Sequence, residues 1–143
     1  MDEQGGSKMN TIVVGTDTSA AADLAVADAA RLALERSAEL VVLYVRPEGD
    51  LSSVMDPGKA PDPQGYLSKM PQRFPGVTTR TRVETGDPAE RICEVAEEER
   101  AVTIVIGNRG THGGRWAVRD SVPNMVLRHA PCSLYIVDTR KAQ

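Results

Sequence analysis

The residues best suited to chemistry in this 143-residue chain form one short stretch, Gly107-Asn108-Arg109-Gly110-Thr111-His112-Gly113-Gly114, closing at Asp120-Ser121. Glycine lets a backbone approach a ligand closely and take positive φ, so successive N–H groups can converge on phosphate oxygens. A helix beginning near Ser121 would add unpaired N–H donors and about half a positive charge at its N-terminus. On glycine content alone, an anion-binding loop and a plain flexible turn both remain open. The stretch is not a Walker A loop, because no Gly-Lys-Ser/Thr follows, nor the dinucleotide fingerprint, which belongs after a first strand. A second group of interest is Asp17, whose carboxylate can accept hydrogen bonds from a ribose or an adenine amine, or can cap the helix that follows it. His112 has no evident partner, so no general base is positioned. The chain reads as a binding module, with slow hydrolysis as the most it would catalyse.

These groups need elements to hold them. Residues 11–16 read as a short buried strand, and Ser19 can cap a helix over about 20–36, in which Leu24, Ala27, Leu32 and Ala33 recur at helical spacing. Residues 40–45 are a second continuous apolar strand, completing a βαβ unit with parallel strands and a right-handed crossover. From Pro47 to Pro75 prolines accumulate, which predicts a mobile loop and a short helix near 64–72. Residues 77–85 alternate as an edge strand does, with Arg80, Arg82 and Glu84 on the face opposite Val77 and Val83. Gly86-Asp87-Pro88 stops that strand and starts a helix, with Asp87 as N-cap. The helix turns Ile92, Val95 and Ala96 inward, and its acidic run Glu94, Glu97, Glu98 and Glu99 reads as a solvated face. Residues 102–106 are apolar throughout and predict a central fourth strand. A helix over about 121–128 ends at Ala130-Pro131, before a fifth strand at 133–137. The order of elements is that of a doubly wound open α/β sheet. The glycine-rich stretch then leaves the carboxyl end of a central strand, which is where such sheets bind ligands.

Composition agrees with one domain built this way. Apolar residues make up 41%, charged residues 26% and aromatics only 3%, so the core must come from Val, Leu, Ile and Ala. The net charge of -3 leaves no basic stripe for nucleic acid. No apolar run reaches the roughly 20 residues that span a bilayer, and no signal-peptide core is present, so a cytoplasmic location is expected. Cys93 and Cys132 are expected to be unpaired, and neither they nor His112 and His129 have the spacing of a metal site.

Several motifs in order resemble the universal stress protein family. Gly107-x2-Gly110-x9-Asp120-Ser121 is similar to its nucleotide-binding signature Gly-x2-Gly-x9-Gly-Ser/Thr, with Asp120 in place of the last glycine. The opening 12–19, Ile-Val-Val-Gly-Thr-Asp-Thr-Ser, resembles the family's first strand and turn, with Thr18 where glycine is frequent. Gly86-Asp87-Pro88-Ala89 and Val126-Leu127-Arg128-His129-Ala130-Pro131-Cys132 resemble its third-helix entry and last turn. The polar, glycine-containing stretch 1–9 reads as a disordered tail, and the resemblance implies one such domain over 10–140, a five-stranded parallel sheet in the order 3-2-1-4-5 with helices on both faces. It implies ATP or a related adenine nucleotide between strands one and four, and a homodimer joined through the last strand. By position, Gly15 and Asp17 would line base and ribose, and Val45 would contact adenine. Ile106, Gly107, Arg109 and Gly110 would begin the phosphate loop, with Ser121 and Val122 as donors to the outer phosphates. A carboxylate at Asp120 about 4 Å from a phosphate would cost ~1 kcal/mol in water and ~4 kcal/mol at an effective dielectric near 20. Arg115 and Arg119, a bound Mg2+, or Asp120 turning away as a helix cap would each offset this. The alternative is a degenerate member that binds no nucleotide and serves as a dimeric interaction scaffold.

Overall fold

The computed structural model of the protein describes residues 2–3, 5–6, 10–48, 63–108 and 122–139. The first strand, β1 (Thr11–Thr16), is buried along its whole length. After it come α1 (Ala20–Arg36) and β2 (Glu39–Arg46). Two short helices follow, α2 (Pro63–Leu67) and α3 (Met70–Arg73). The chain continues through β3 (Thr79–Thr85), α4 (Pro88–Glu98), β4 (Ala101–Gly107), α5 (Val122–His129) and β5 (Ser133–Val137). All neighbouring strands pair in parallel, in the spatial order β3-β2-β1-β4-β5, the expected 3-2-1-4-5. Of the N-terminal tail only Asp2–Glu3 and Gly5–Gly6 are described, as a two-residue parallel pairing apart from this sheet. The proline-rich loop expected after β2 lies mostly outside the described residues, at 49–62.

Because a parallel sheet is covered on both sides, its side chains feed two separate cores. Ile12, Val14, Leu40, Val42, Tyr44 and Val105 face α1 and the arm α2–α3, which contributes Leu67 and Met70. Val13, Val41, Leu43, Val45, Ile104 and Ile106 face α4 and α5. Both cysteines are free thiols on this second side. Burial raises the pKa of each.

Helix α1 starts as expected, with Ser19 Oγ accepting from Ala22 N at 3.1 Å. Its buried stripe differs from the one that leucine spacing suggests. The sheet is met by Ala21, Ala25, Val26, Ala29, Ala30 and Ala33, while Leu24 and Leu34 are 40% and 55% exposed and Ala27 is exposed too. Small residues let the helix axis approach a sheet already filled with Val, Ile and Leu, and the bulky leucines are displaced to the flanks.

Strand β3 forms one edge, as its alternation predicts, but starts at Thr79 rather than Val77, whose N–H closes a turn onto Phe74 O at 3.1 Å. Asp87 caps α4 by accepting from Glu90 N at 3.0 Å. The acidic run of α4 is not simply solvated. Arg80 bridges Glu39 and Glu99 at 2.9 and 2.7 Å, and Arg82 reaches Glu84, Glu98 and Glu99 at 2.7, 2.9 and 3.0 Å. Arg91 pairs with Glu84 and Glu94. Arginine bonds hold the carboxyls of Glu84 and Glu99 below their ordinary pKa. This lattice of charge runs along β3, the kind of device that keeps an edge strand from pairing with other chains.

The alanine stripe is testable by paired substitutions. Ala29→Leu should cost about 1–3 kcal/mol through overpacking, whereas Ala27→Leu should change stability by less than about 0.5 kcal/mol, both measured by chemical denaturation. The reverse ranking would contradict the stripe.

Candidate functional site

The two innermost strands separate at their carboxyl ends. The β1–β4 ladder ends at Val14 opposite Val105, although β1 continues to Thr16 and β4 to Gly107. Past that point β1 remains paired only with β2, through Thr16 and Tyr44, and β4 only with β5, through Gly107 and Val137. The chain leaves β1 into a helix on one face and returns from β4 through a helix on the other. The divergence is therefore a switch point, where open α/β sheets bind ligands.

Several residues named from sequence meet here. Gly15 and Ile106 are the first residues beyond the last pair, and Asp17 follows directly on β1. Val45 lies on β2 one residue past that strand's last partner on β1. Its side chain is fully buried in the α4–α5 core, so only its main chain can face a ligand. Val122 opens α5 and is likewise packed in that core. Arg109, Gly110, Asp120 and Ser121 lie outside the described residues.

Asp17 is 6% exposed, and its Oδ1 accepts from Ser19 N at 2.9 Å. It thus braces the turn, leaving the cap of α1 to Ser19. Its Oδ2 has no partner among the described residues. Between them Thr18 adopts φ +68°, a left-handed conformation that disfavours β-branched residues. This explains why glycine suits the position. Thr18 N donates to Thr16 Oγ1 at 2.9 Å, so the turn is held by side-chain bonds at both of its central amides.

Gly107 does accommodate a close approach, but from its own chain. A Cβ there would lie 2.7 Å from Thr139 Cγ2. Thr139 is fully buried, and its N and Oγ1 both donate to Asn108 Oδ1, at 3.1 and 3.3 Å. Asn108 N in turn donates to Val137 O at 2.8 Å. The segment beyond β5 is thereby sewn to the end of β4.

Sequence reasoning passed over a polar cluster beside the same sheet edge. Asp23, in the first turn of α1, accepts from Tyr66 Oη at 2.5 Å and from both Arg73 Nη atoms at 2.6 and 2.7 Å. The Arg73 bond holds the Asp23 carboxyl below its ordinary value of 3.8, against a smaller opposing effect of burial. Burial, followed by the Asp23 bond, raises the Tyr66 phenol strongly. The partners are 43 and 50 residues apart, so no local pattern announces them. Tyr44 Oη, on the same face of the sheet, is buried with no hydrogen-bond partner among the described residues. A groove of about 310 Å³ lies between α4 and α5, lined among others by Asp87, Cys93, Met125 and His129.

The fold is thus a doubly wound α/β domain with a nearly buried carboxylate, Asp17, at the switch point of its parallel sheet. The chain belongs to the Universal stress protein family, whose sequence profile matches residues 8–138. It is 29% identical over 143 aligned positions to Universal stress protein MJ0531 of Methanocaldococcus jannaschii, covering 92% of this chain and 84% of that protein. A shorter match, 37% over 54 residues, takes in 38% of this chain and half the length of Universal stress protein Slr1101 of Synechocystis sp.. Among solved structures, a universal stress protein in complex with cAMP superposes with a TM-score of 0.71 at 28% identity, covering 93% of this chain and 99% of that one. Among the described residues, no helix is long and apolar enough to cross a membrane.

Two substitutions test the local geometry. Thr18→Gly should stabilise the fold by about 0.5–1 kcal/mol, the relief of left-handed strain exceeding the added freedom of the unfolded chain. Gly107→Ala should destabilise by about 1–3 kcal/mol, and adding Thr139→Ser, which removes the opposing methyl but keeps the hydroxyl, should restore most of the loss. Thermal denaturation of the three variants checks both statements.

Proposed function

We propose that this protein binds an adenine nucleotide at the diverging ends of β1 and β4, as a cytoplasmic stress-response or signalling module rather than a vigorous enzyme. The observation that carries the reading is Asp17, nearly buried at the switch point with one carboxylate oxygen tied to the turn and the other without a partner among the described residues. Such an oxygen accepts hydrogen bonds and so suits a ligand that donates them, such as a ribose hydroxyl or the adenine amine. Gly15 leaves room beside it, and Val45 offers its main chain to the base. Ile106, Gly107, Arg109 and Gly110 would lead into the phosphate loop, and Ser121 and Val122 would donate to the outer phosphates. The relative solved with cAMP supports an adenine ligand of low charge. A ligand with few phosphates also limits repulsion from Asp120; ATP would gain from Mg2+ or from Arg115 and Arg119. Strand β5 is the other sheet edge, with Tyr135 and Ile136 36% and 41% exposed, and α5 exposes Leu127. A homodimer through β5 would cover that edge.

A second reading, an interaction scaffold without nucleotide, draws on two observations. The amides of Thr18 and Ser19 already have partners, and Thr139 fills the approach to Gly107.

Calorimetric titration with AMP, ATP and GMP distinguishes the two. The nucleotide reading expects saturable binding of AMP, weakened about tenfold (~1.4 kcal/mol) in Asp17→Asn. That variant keeps an acceptor for Ser19 N while replacing the available oxygen by an amide NH2. No heat and no thermal shift at millimolar nucleotide would refute this reading, and binding that appears only in Asp120→Gly would establish the scaffold.

A further inference from the structure

We infer that Tyr66 and Arg73, acting through Asp23, are positioning residues for the β1–α1 turn, so that the arm α2–α3 sets the geometry in which Asp17 meets a ligand. The inference rests on the reading of Asp17 as a ligand contact and adds residues that no signature of the sequence contains.

The connection runs through consecutive bonds. Asp23 N donates to Ser19 O at 2.9 Å, and Ser19 N donates to Asp17 Oδ1 at 2.9 Å. Displacing the Asp23 carboxylate therefore moves the first turn of α1, and with it the oxygen that orients Asp17. Three donors converge on that carboxylate, two of them from the fork of Arg73, a planar arrangement that fixes direction as well as distance.

The arm is stiff enough to act as a reference. Leu67 and Met70 are buried in the α1-side core, Tyr66 and Phe74 pack against it, and the Arg73 guanidinium lies 4.8 Å from the centre of the Phe74 ring. Anchorage of the arm comes from these apolar contacts. The Tyr66 hydroxyl and the Arg73 fork bond to the turn region instead, which separates positioning from folding.

The test uses Tyr66→Phe, Arg73→Lys and Asp23→Asn in the full chain, with amide hydrogen exchange followed by NMR and AMP affinity by calorimetry. Each variant should speed exchange at the Thr18 and Ser19 amides by about tenfold, the loss of one charge-assisted hydrogen bond, while amides of β2 and α4 keep the parent rates. AMP affinity should fall about three- to tenfold. Tyr66→Phe combined with Arg73→Lys should be no worse than Asp23→Asn, since both act through one carboxylate. Unchanged exchange at Thr18 and Ser19, or acceleration spread evenly over the sheet, would overturn the inference. If the parent protein binds no AMP, the nucleotide reading fails by itself, and exchange at those two amides still decides whether the clamp exists.

Discussion

The parting of β1 and β4 beyond Val14 and Val105 is the constraint from which the rest of the site follows. Two right-handed crossovers starting from adjacent parallel strands and heading in opposite directions must cover opposite faces of the sheet. Their strand ends can therefore not remain paired. Gly15 and Ile106 are thereby released from the β1–β4 ladder, each keeping only its pairing to the outer neighbour. Inside the sheet the neighbours are Val, Ile and Leu, so polar chemistry is confined to this edge.

What the sequence places at that edge is a turn under tension. A threonine in the left-handed region costs about 1–2 kcal/mol, and it persists because Thr16 and Asp17 each bind an amide of the turn. The Ser19 bond also orients the carboxylate of Asp17, so the strained turn and the direction of that carboxylate have one origin. On the other side of the cleft, Asn108 and Thr139 fix the end of β4 to the chain beyond β5. Both strand ends thus add side-chain bonds to the pairing that each keeps with its outer neighbour.

Strand positions were readable because a parallel sheet buried on both sides demands unbroken apolar runs, as in Val41 to Val45 and Ile104 to Ile106. The caps at Ser19 and Asp87 were readable because they depend on neighbours three residues away. The inward face of α1 was misjudged because leucine dominates a hydrophobic pattern, whereas close packing on a crowded sheet selects alanine. The acidic run of α4 gave no sign that arginines of β3 would meet it. Gly107 was legible as a site of close approach, but the approaching group is Thr139, which only the fold brings there. Asp17 was placed correctly at the strand end. Its brace on Ser19 is a local bond across two residues, whereas Tyr66 and Arg73 reach Asp23 from 43 and 50 residues away, which no spacing encodes.

The account is tested most directly by following the backbone amides of the isotope-labelled protein during titration with AMP. Saturable shifts should gather at Gly15 to Ser19, at Val45 and at Ile106 to Asn108, with the remainder of the sheet undisturbed. Shifts confined to the groove between α4 and α5, or none at millimolar ligand, would contradict it.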